Sequence, residues 1–514
     1  TFGIVDAMLI APGDPARSVL HRRISRRGQG QMPPLASNQI DHAGAQLIAN
    51  WIAMMAPSQS TVNAWKIGDF TADLKDNFGA KDRSFLSGKQ AFRNTGCVQC
   101  HRFAGEGGSV GPDLTGLAQQ RSLHEILESI LDPSAKITDP KFTIPASVPP
   151  VSVMPSGMVN VLEKDALLDL LYYLWRDGRP RVAAIVTEYR HNSHADIIVS
   201  RLLQTDTLDG KGKKSPLDLA SLYTDQIPEN DTSRQLSEEH GFPIYPTIAG
   251  ALGLGTDGLA VDGVMLIAEH GKYPKSATGN TVYPKRRFWE EILAVFKKSD
   301  RQVPVFIDKH VADNWEDAKF IYDSAKQMNI PLMAGSSLPT TWRRPVADVA
   351  RNEKLDEIVA ITFHTTDAYG FHALEFIQAL AEQRQGGETG IRSVQSVSGD
   401  EVWKAFDDGE TFDRKLFDAA WGRLTNKKDK DGPRREAVAE PRLFSIEHTD
   451  GLRVHLIELN GAANEWSAAW RYTKDQNIES SLFWTQEGRP GMHFTWLLNG
   501  IENMVLTGKP SWPV

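Results

Sequence analysis

The chain has 514 residues, 41% of them hydrophobic, and a formal net charge of −8 at pH 7, which is ordinary globular material for two or three domains. Long Lys/Arg runs are missing, which argues against nucleic acid as a partner, and no apolar stretch reaches the roughly eighteen residues of a membrane-spanning helix. Only two cysteines are present, and one motif uses both, so no thiol is left for a disulfide or a zinc site.

The first 58 residues read as a small helical module in which Gln31-Met32-Pro33-Pro34 precedes an amphipathic helix from Ala43 to Met55. Next comes Cys97-Val98-Gln99-Cys100-His101, the C-x-x-C-H spacing of covalent haem attachment. Two thiols three positions apart on one helical turn can each form a thioether to a porphyrin vinyl group, and the following histidine is held against the iron. Thioredoxin-like use of C-x-x-C is expected inside a βαβ unit and needs no histidine. The run Gly111-Pro112-Asp113-Leu114-Thr115-Gly116 can pass close to a flat macrocycle without side-chain clashes. Leu123, Ile126, Leu127, Ile130 and Leu131 recur at helical spacing and stop at Asp132-Pro133. Met154-Pro155-Ser156-Gly157-Met158 follows, and a last helical run spans Lys164 to Trp175.

This order of motifs resembles a class I c-type cytochrome over roughly residues 80–178. The resemblance implies an all-α haem domain with one covalent haem c, held through Cys97 and Cys100, with His101 as proximal iron ligand and Met154 as distal ligand. Met158, in the same loop, is the alternative. The family carries a longer hairpin where Ile137 to Val151 is short and Pro-rich, which leaves shielding of the haem on that side open. Residues 1–58 resemble the tail of a second such module without its cysteine half, a haem-free remnant containing Met32, the alternative being that Met32 ligates the haem at Cys97 and Cys100. Haem c is attached outside the bacterial inner membrane, so the expected location is periplasmic. The segment Thr1 to Val5 shows no export signal, so the chain reads as a processed protein or as part of a longer precursor.

From residue 180 the pattern changes. Runs at Arg181–Tyr189, Leu219–Tyr223, Gly263–Ala268, Val303–Ile307 and Pro331–Ala334 read as strands. They alternate with helical patterns at Ser193–Leu203, Ser233–His240, Arg287–Lys297 and Trp315–Met328, which predicts βαβ units and a parallel sheet over 180–355. Residues 356–514 predict an α+β domain: a helix from Phe371 to Arg384 and strands at Ile358–Phe363, Ile391–Val397, Arg442–Glu447, Leu452–Leu459, Ser467–Tyr472 and Ser480–Trp484, forming an open antiparallel sheet. A Rossmann half followed by such a sheet resembles the glucose–fructose oxidoreductase and inositol dehydrogenase-like family. That resemblance implies NAD(P) and a sugar or polyol substrate. The first strand, however, leads into Thr187-Glu188-Tyr189-Arg190-His191-Asn192, without the glycines that let backbone approach a pyrophosphate. Conventional NAD(P) binding is therefore not expected, although Asp225 stands where the family's ribose-binding acid would be.

Polar residues gather where this fold keeps its site: Glu269-His270-Gly271-Lys272, Asp308-Lys309-His310, and Tyr369 to Glu375 with His372. Two uses are open. His372 and Lys272, with Glu269, could exchange protons with a sugar hydroxyl, or Glu269, His270, His310 and His372 could form a second metal site. Arg343 and Arg344, after Gly335-Ser336-Ser337-Leu338-Pro339, could hold an anionic or hydroxyl-rich ligand or serve the structure. The expectation is a monohaem cytochrome fused to an oxidoreductase-like domain acting on or binding a sugar-like molecule, with a redox partner protein or external electron carrier. Its alternatives are a non-catalytic electron-transfer protein with a Rossmann-like scaffold, and an NAD(P)-dependent sugar dehydrogenase.

Overall fold

The computed structural model describes residues 4, 7–28, 30–32, 39–55, 63–74, 78–79, 82–133, 154, 157–486 and 488–512. The chain divides into two compact units, Thr1–Lys66 with Leu131–Glu163, and Ile67–Ile130 with Lys164–Val514.

In the first unit, Asp41 caps the helix His42–Met54 by accepting the Gly44 N–H at 2.8 Å, the usual way to satisfy an orphan donor of a first turn. The Asn63 amide and the Trp65 indole both donate to the Leu162 carbonyl at 3.0 Å, which ties the two segments together. Met32 is exposed, while Met154 and Met158 are half-buried in this unit. The stretch Ile137 to Val151 lies outside the described residues.

The second unit begins with helix Phe85–Asn94, capped by Ser84, which buries Phe85, Gly88, Ala91 and Phe92 along one face. That spacing is the apolar stripe of an amphipathic helix. It crosses helix Lys164–Trp175 at Gly88, where a Cβ would run into the Asp169 carbonyl. Tyr173 fills the crossing, with Phe85 and Phe103 edge-on at 5.1 Å. Between the two helices lie the turn Cys97–Cys100 and a small hairpin, β1 (Arg102–Phe103) and β2 (Glu106–Gly107). Polar side chains bond this helical layer to the α/β region after residue 180. The Tyr172 hydroxyl donates to Asp262 at 3.0 Å, and Arg176 and Arg179 both pair with Asp218.

Five parallel strands come next: β3 (Arg181–Val186), β4 (Asp218–Thr224), β5 (Gly263–Ile267), β6 (Val305–Asp308) and β7 (Leu332–Gly335), in the order β4-β3-β5-β6-β7. Apolar side chains bury both faces, as a sheet covered by crossover helices requires. The C-terminal helix His493–Thr507, which the sequence reading did not assign, returns to this sheet. It inserts Leu497, Leu498, Ile501 and Met504 against Val182, Ala184 and Ile198.

The second sheet comprises β8 (Trp342–Arg344), β9 (Leu355–Thr362), β10 (Ile391–Ser398), β11 (Arg442–His448), β12 (Arg453–Glu458), β13 (Trp466–Tyr472) and β14 (Ile478–Trp484), in the order β10-β11-β12-β9-β13-β14-β8. It is mixed, which corrects the expected antiparallel sheet. β12 pairs with β9 in parallel, because the long connection through β10 and β11 brings the chain back beside β9 in the same direction. Parallel neighbours need such a crossover.

Candidate functional site

Two sites emerge, both in the second unit. The first is the turn Cys97–Cys100 with His101 behind it. Cys97 is buried and Cys100 exposed. Burial pushes the Cys97 thiol up, with the Thr95 hydroxyl at 3.3 Å opposing that shift. His101 donates its Nδ1–H to the Pro112 carbonyl at 2.9 Å. A carbonyl can only accept, so the proton of this bond sits on Nδ1 and Nε2 is the nitrogen left to bind metal, the arrangement that prepares a histidine as a ligand. Gly111 lies flat on this ring, where a Cβ would stand 2.6 Å from Cε1. Gly107, at φ +108°, presses against the His101 carbonyl and would clash with any side chain there. Two thiols, an oriented imidazole and a glycine-lined loop fit haem c. Met154 and Met158 belong to the other compact unit.

The second site is a cavity of about 360 Å³ at the carboxyl ends of the parallel strands, where open α/β sheets bind ligands. Each wall comes from a different connection: Asn192 and His194 after β3, Glu269 and His270 after β5, Lys309 and His310 after β6, and Ser337 after β7. The far side is closed by Asp367, Tyr369 and His372 at the start of helix Phe371–Ala381, Trp466 on β13, and His493 with Phe494 on the C-terminal helix.

Charge in this cavity is organised around Glu269. Its carboxylate meets Lys285 Nζ at 2.9 Å and Lys309 Nζ at 2.7 Å, with all three side chains buried. Burial alone would raise the Glu269 carboxyl, and the two ammonium groups overcome it and hold the group well below the usual carboxylate range. Lys285 also donates to the carbonyls of Asp308, Lys309 and His310. Burial, reinforced by neighbouring positive charge, pushes His270 down to about 3, His310 to about 4 and His493 to about 3, and His372 well below its ordinary value. His372 Nδ1 shares a hydrogen bond with the Ser336 hydroxyl.

The structure therefore brings Glu269, His270, His310 and His372 to one cavity, but not Lys272. Lys272 is exposed, and its backbone N–H and carbonyl both bond the Gln226 side chain, at 2.9 and 3.0 Å. Gly271, at φ +116°, turns the chain away before it. The lysine at the cavity is Lys309, supplied by the next strand. Among the described residues no group of three or more His, Cys, Asp or Glu side chains is placed to hold a metal ion. Both Glu269 oxygens already face ammonium groups. Arg343 and Arg344 stack on Phe483 and Trp484, at 4.4 and 3.8 Å from the ring centroids, and serve the sheet.

The residues around the dinucleotide position are also committed. Tyr189 is fully buried beneath the turn and bonds Ser200 at 2.8 Å, while Glu188 pairs with Arg190 at 2.6 Å. Asp225 receives the hydroxyls of Tyr223 and Tyr273 at 2.7 and 2.8 Å and the Arg287 guanidinium at 2.5 Å. Sequence reasoning missed His194 and His493 as cavity groups and Lys285 as the buried partner of Glu269, and gave Asp308 and Lys309 no role of their own. The available signal was the run Asp308-Lys309-His310 directly after a strand.

Solved structures with a similar chain path include scyllo-inositol dehydrogenase from Lactobacillus casei, 10% identical, covering 65% of this chain and 90% of that chain with a TM-score of 0.40. GenD2 from gentamicin A biosynthesis, in complex with NAD, is 13% identical over 65% of this chain and 89% of that chain, with a TM-score of 0.38. Biliverdin reductase from Synechocystis sp. PCC 6803, in complex with biliverdin and NADP+, is 11% identical over 65% and 93%, with a TM-score of 0.37. No curated protein matches the chain. Residues 85–176, which hold Cys97, Cys100, His101 and the two crossing helices, match the family model for cytochrome c, so this chain carries a cytochrome c region followed by a Rossmann-like parallel sheet and a mixed seven-stranded sheet.

Proposed function

We propose that the protein is a periplasmic monohaem c-type cytochrome fused to an oxidoreductase-like domain, passing single electrons to a partner protein or external carrier, and that its cavity takes a small sugar-like molecule. The observation that carries the first half is the His101 Nδ1–H bond to the Pro112 carbonyl behind two thiols at C-x-x-C spacing. Haem c bound there would supply one-electron redox chemistry. Cys97 and Cys100 would hold it, His101 Nε2 would face the iron, and Met154 would complete the pair, with Met158 the alternative. Met154→Ala is expected to remove the methionine-to-iron charge-transfer band of the oxidised protein. Loss of the band in Met158→Ala instead would move the assignment, and its absence from the wild type would exclude methionine.

For the cavity, imidazoles whose charged form is disfavoured, beside two buried carboxylates (Glu269, Asp308) and two buried ammonium groups (Lys285, Lys309), offer donors and acceptors with little net charge, which suits a neutral, hydroxyl-rich ligand. Equilibrium dialysis against a panel of labelled hexoses and cyclic polyols is expected to show saturable uptake of at least one member, lost in His372→Ala. No uptake by the wild type would overturn the ligand half.

Conventional NAD(P) binding has no part in this reading, because Asp225 already bonds three partners and the turn after β3 holds a Glu188–Arg190 pair in place of glycines. Titration with NADH, followed by calorimetry, is expected to show no saturable binding at micromolar concentration. Stoichiometric tight binding would restore the dehydrogenase alternative.

A further inference from the structure

One pair at the cavity wall has no part in the proposed ligand contacts. His194, the first residue of helix His194–Leu203, donates its Nδ1–H to Asp308 Oδ2 at 2.6 Å. Asp308 ends β6 and is only 1% exposed. Its other oxygen, Oδ1, is buried without a hydrogen-bond partner, as are the neighbouring Ser337 Oγ and His310 Nδ1. Buried polar atoms are rarely left unpaired, and Ser337 and His310 both line the cavity. A carboxylate can only accept, so the proton of this bond sits on Nδ1, and Nε2 is the ring nitrogen left to face the cavity. The His194 ring lines the cavity, between His270 and Phe494 with centroids 5.3 and 5.1 Å away. A buried carboxylate that orients an imidazole whose far nitrogen is open is the base-and-orienter half of a hydroxyl-activating site.

We propose that His194 is the proton acceptor of this cavity, positioned by Asp308, and that the hydroxyl completing the constellation is supplied by the bound small molecule. In the step, the ligand O–H bond breaks and an N–H bond forms at His194 Nε2. The Nδ1 proton stays on the ring, and the Asp308 carboxylate balances the imidazolium. Lys309, whose ammonium also lines the cavity, meets the charge developing on the ligand oxygen. No electrons change owner in this transfer. The role rests on the proposed hydroxylated ligand, but the state of the imidazole can be measured without one.

The test is carbethoxylation of the full-length protein by diethyl pyrocarbonate, which attacks an unprotonated imidazole nitrogen, with time-resolved peptide mapping at neutral pH. His194 is expected to be labelled faster than His270, His310 or His372. Asp308→Asn is expected to slow that labelling about tenfold by admitting the wrong tautomer, with the fold checked by circular dichroism. Nitrogen-15 shifts of the wild-type imidazole give a second readout independent of the variant: an unprotonated Nε2 supports the assignment, and a protonated Nε2 with a bare Nδ1 overturns it. Unchanged labelling in a folded Asp308→Asn protein also overturns it. Labelling as expected in a protein that takes up no hydroxylated ligand would overturn the ligand reading and leave the Asp308–His194 geometry standing.

Discussion

Replacing Cys97 and Cys100 together by alanine is expected to abolish covalent haem entirely, the largest single effect foreseen for this protein. The wild-type chain should keep one haem through denaturation and acid–acetone extraction, because thioether bonds survive conditions that release a ligand held only by axial coordination. The double variant should show no haem stain on a denaturing gel and no mass increment. Both sulfurs sit on one short turn that starts from Gly96 in the left-handed region at φ +80°, so the loss follows from missing chemistry and not from a disturbed fold. Gly111→Ala offers a finer comparison. It keeps both thiols but would set a methyl 2.6 Å from the His101 ring, so the haem should remain attached with altered axial ligation. Extraction of all pigment from the wild-type protein would refute covalent attachment.

Glu269→Gln is expected to destabilise the Rossmann-like region by about 3–5 kcal/mol, the usual consequence of removing one partner from a buried ion pair. The substitution conserves shape but leaves Lys285 and Lys309, both buried, without their shared carboxylate. At about 2–4 °C per kcal/mol for a domain of this size, the unfolding midpoint should fall on the order of ten degrees. Thermal denaturation followed by tryptophan fluorescence would report it, since Trp289 belongs to the apolar core under this sheet. Replacing Glu269, Lys285 and Lys309 together by apolar residues of similar volume should recover much of the loss, because the desolvation cost disappears with the charges. A midpoint unchanged in Glu269→Gln would mean that the Glu269 charge is not needed to hold the two buried lysines.

What the sequence by itself determined is the chemistry carried by neighbours along the chain. The haem-attachment motif needs only five consecutive residues, and the period of apolar positions placed β3 to β7 and the helix Lys164–Trp175, because period reports which face of an element is buried. The missing glycines after β3 were equally local. Only the tertiary structure decided which distant groups meet. Asp308 is 114 positions from His194, and their pairing depends on β6 lying two strands from β3 in the parallel sheet. Lys285 opens a helix in the run Lys285-Arg286-Arg287, which reads as a solvated face, yet it is buried on Glu269. The choice of Lys309 over Lys272 follows from the turn at Gly271, and the parallel pairing of β12 with β9 follows from a crossover that no local pattern encodes. Periodicity fixes orientation toward a core, but partner choice is set by topology, and the cavity is built from partners.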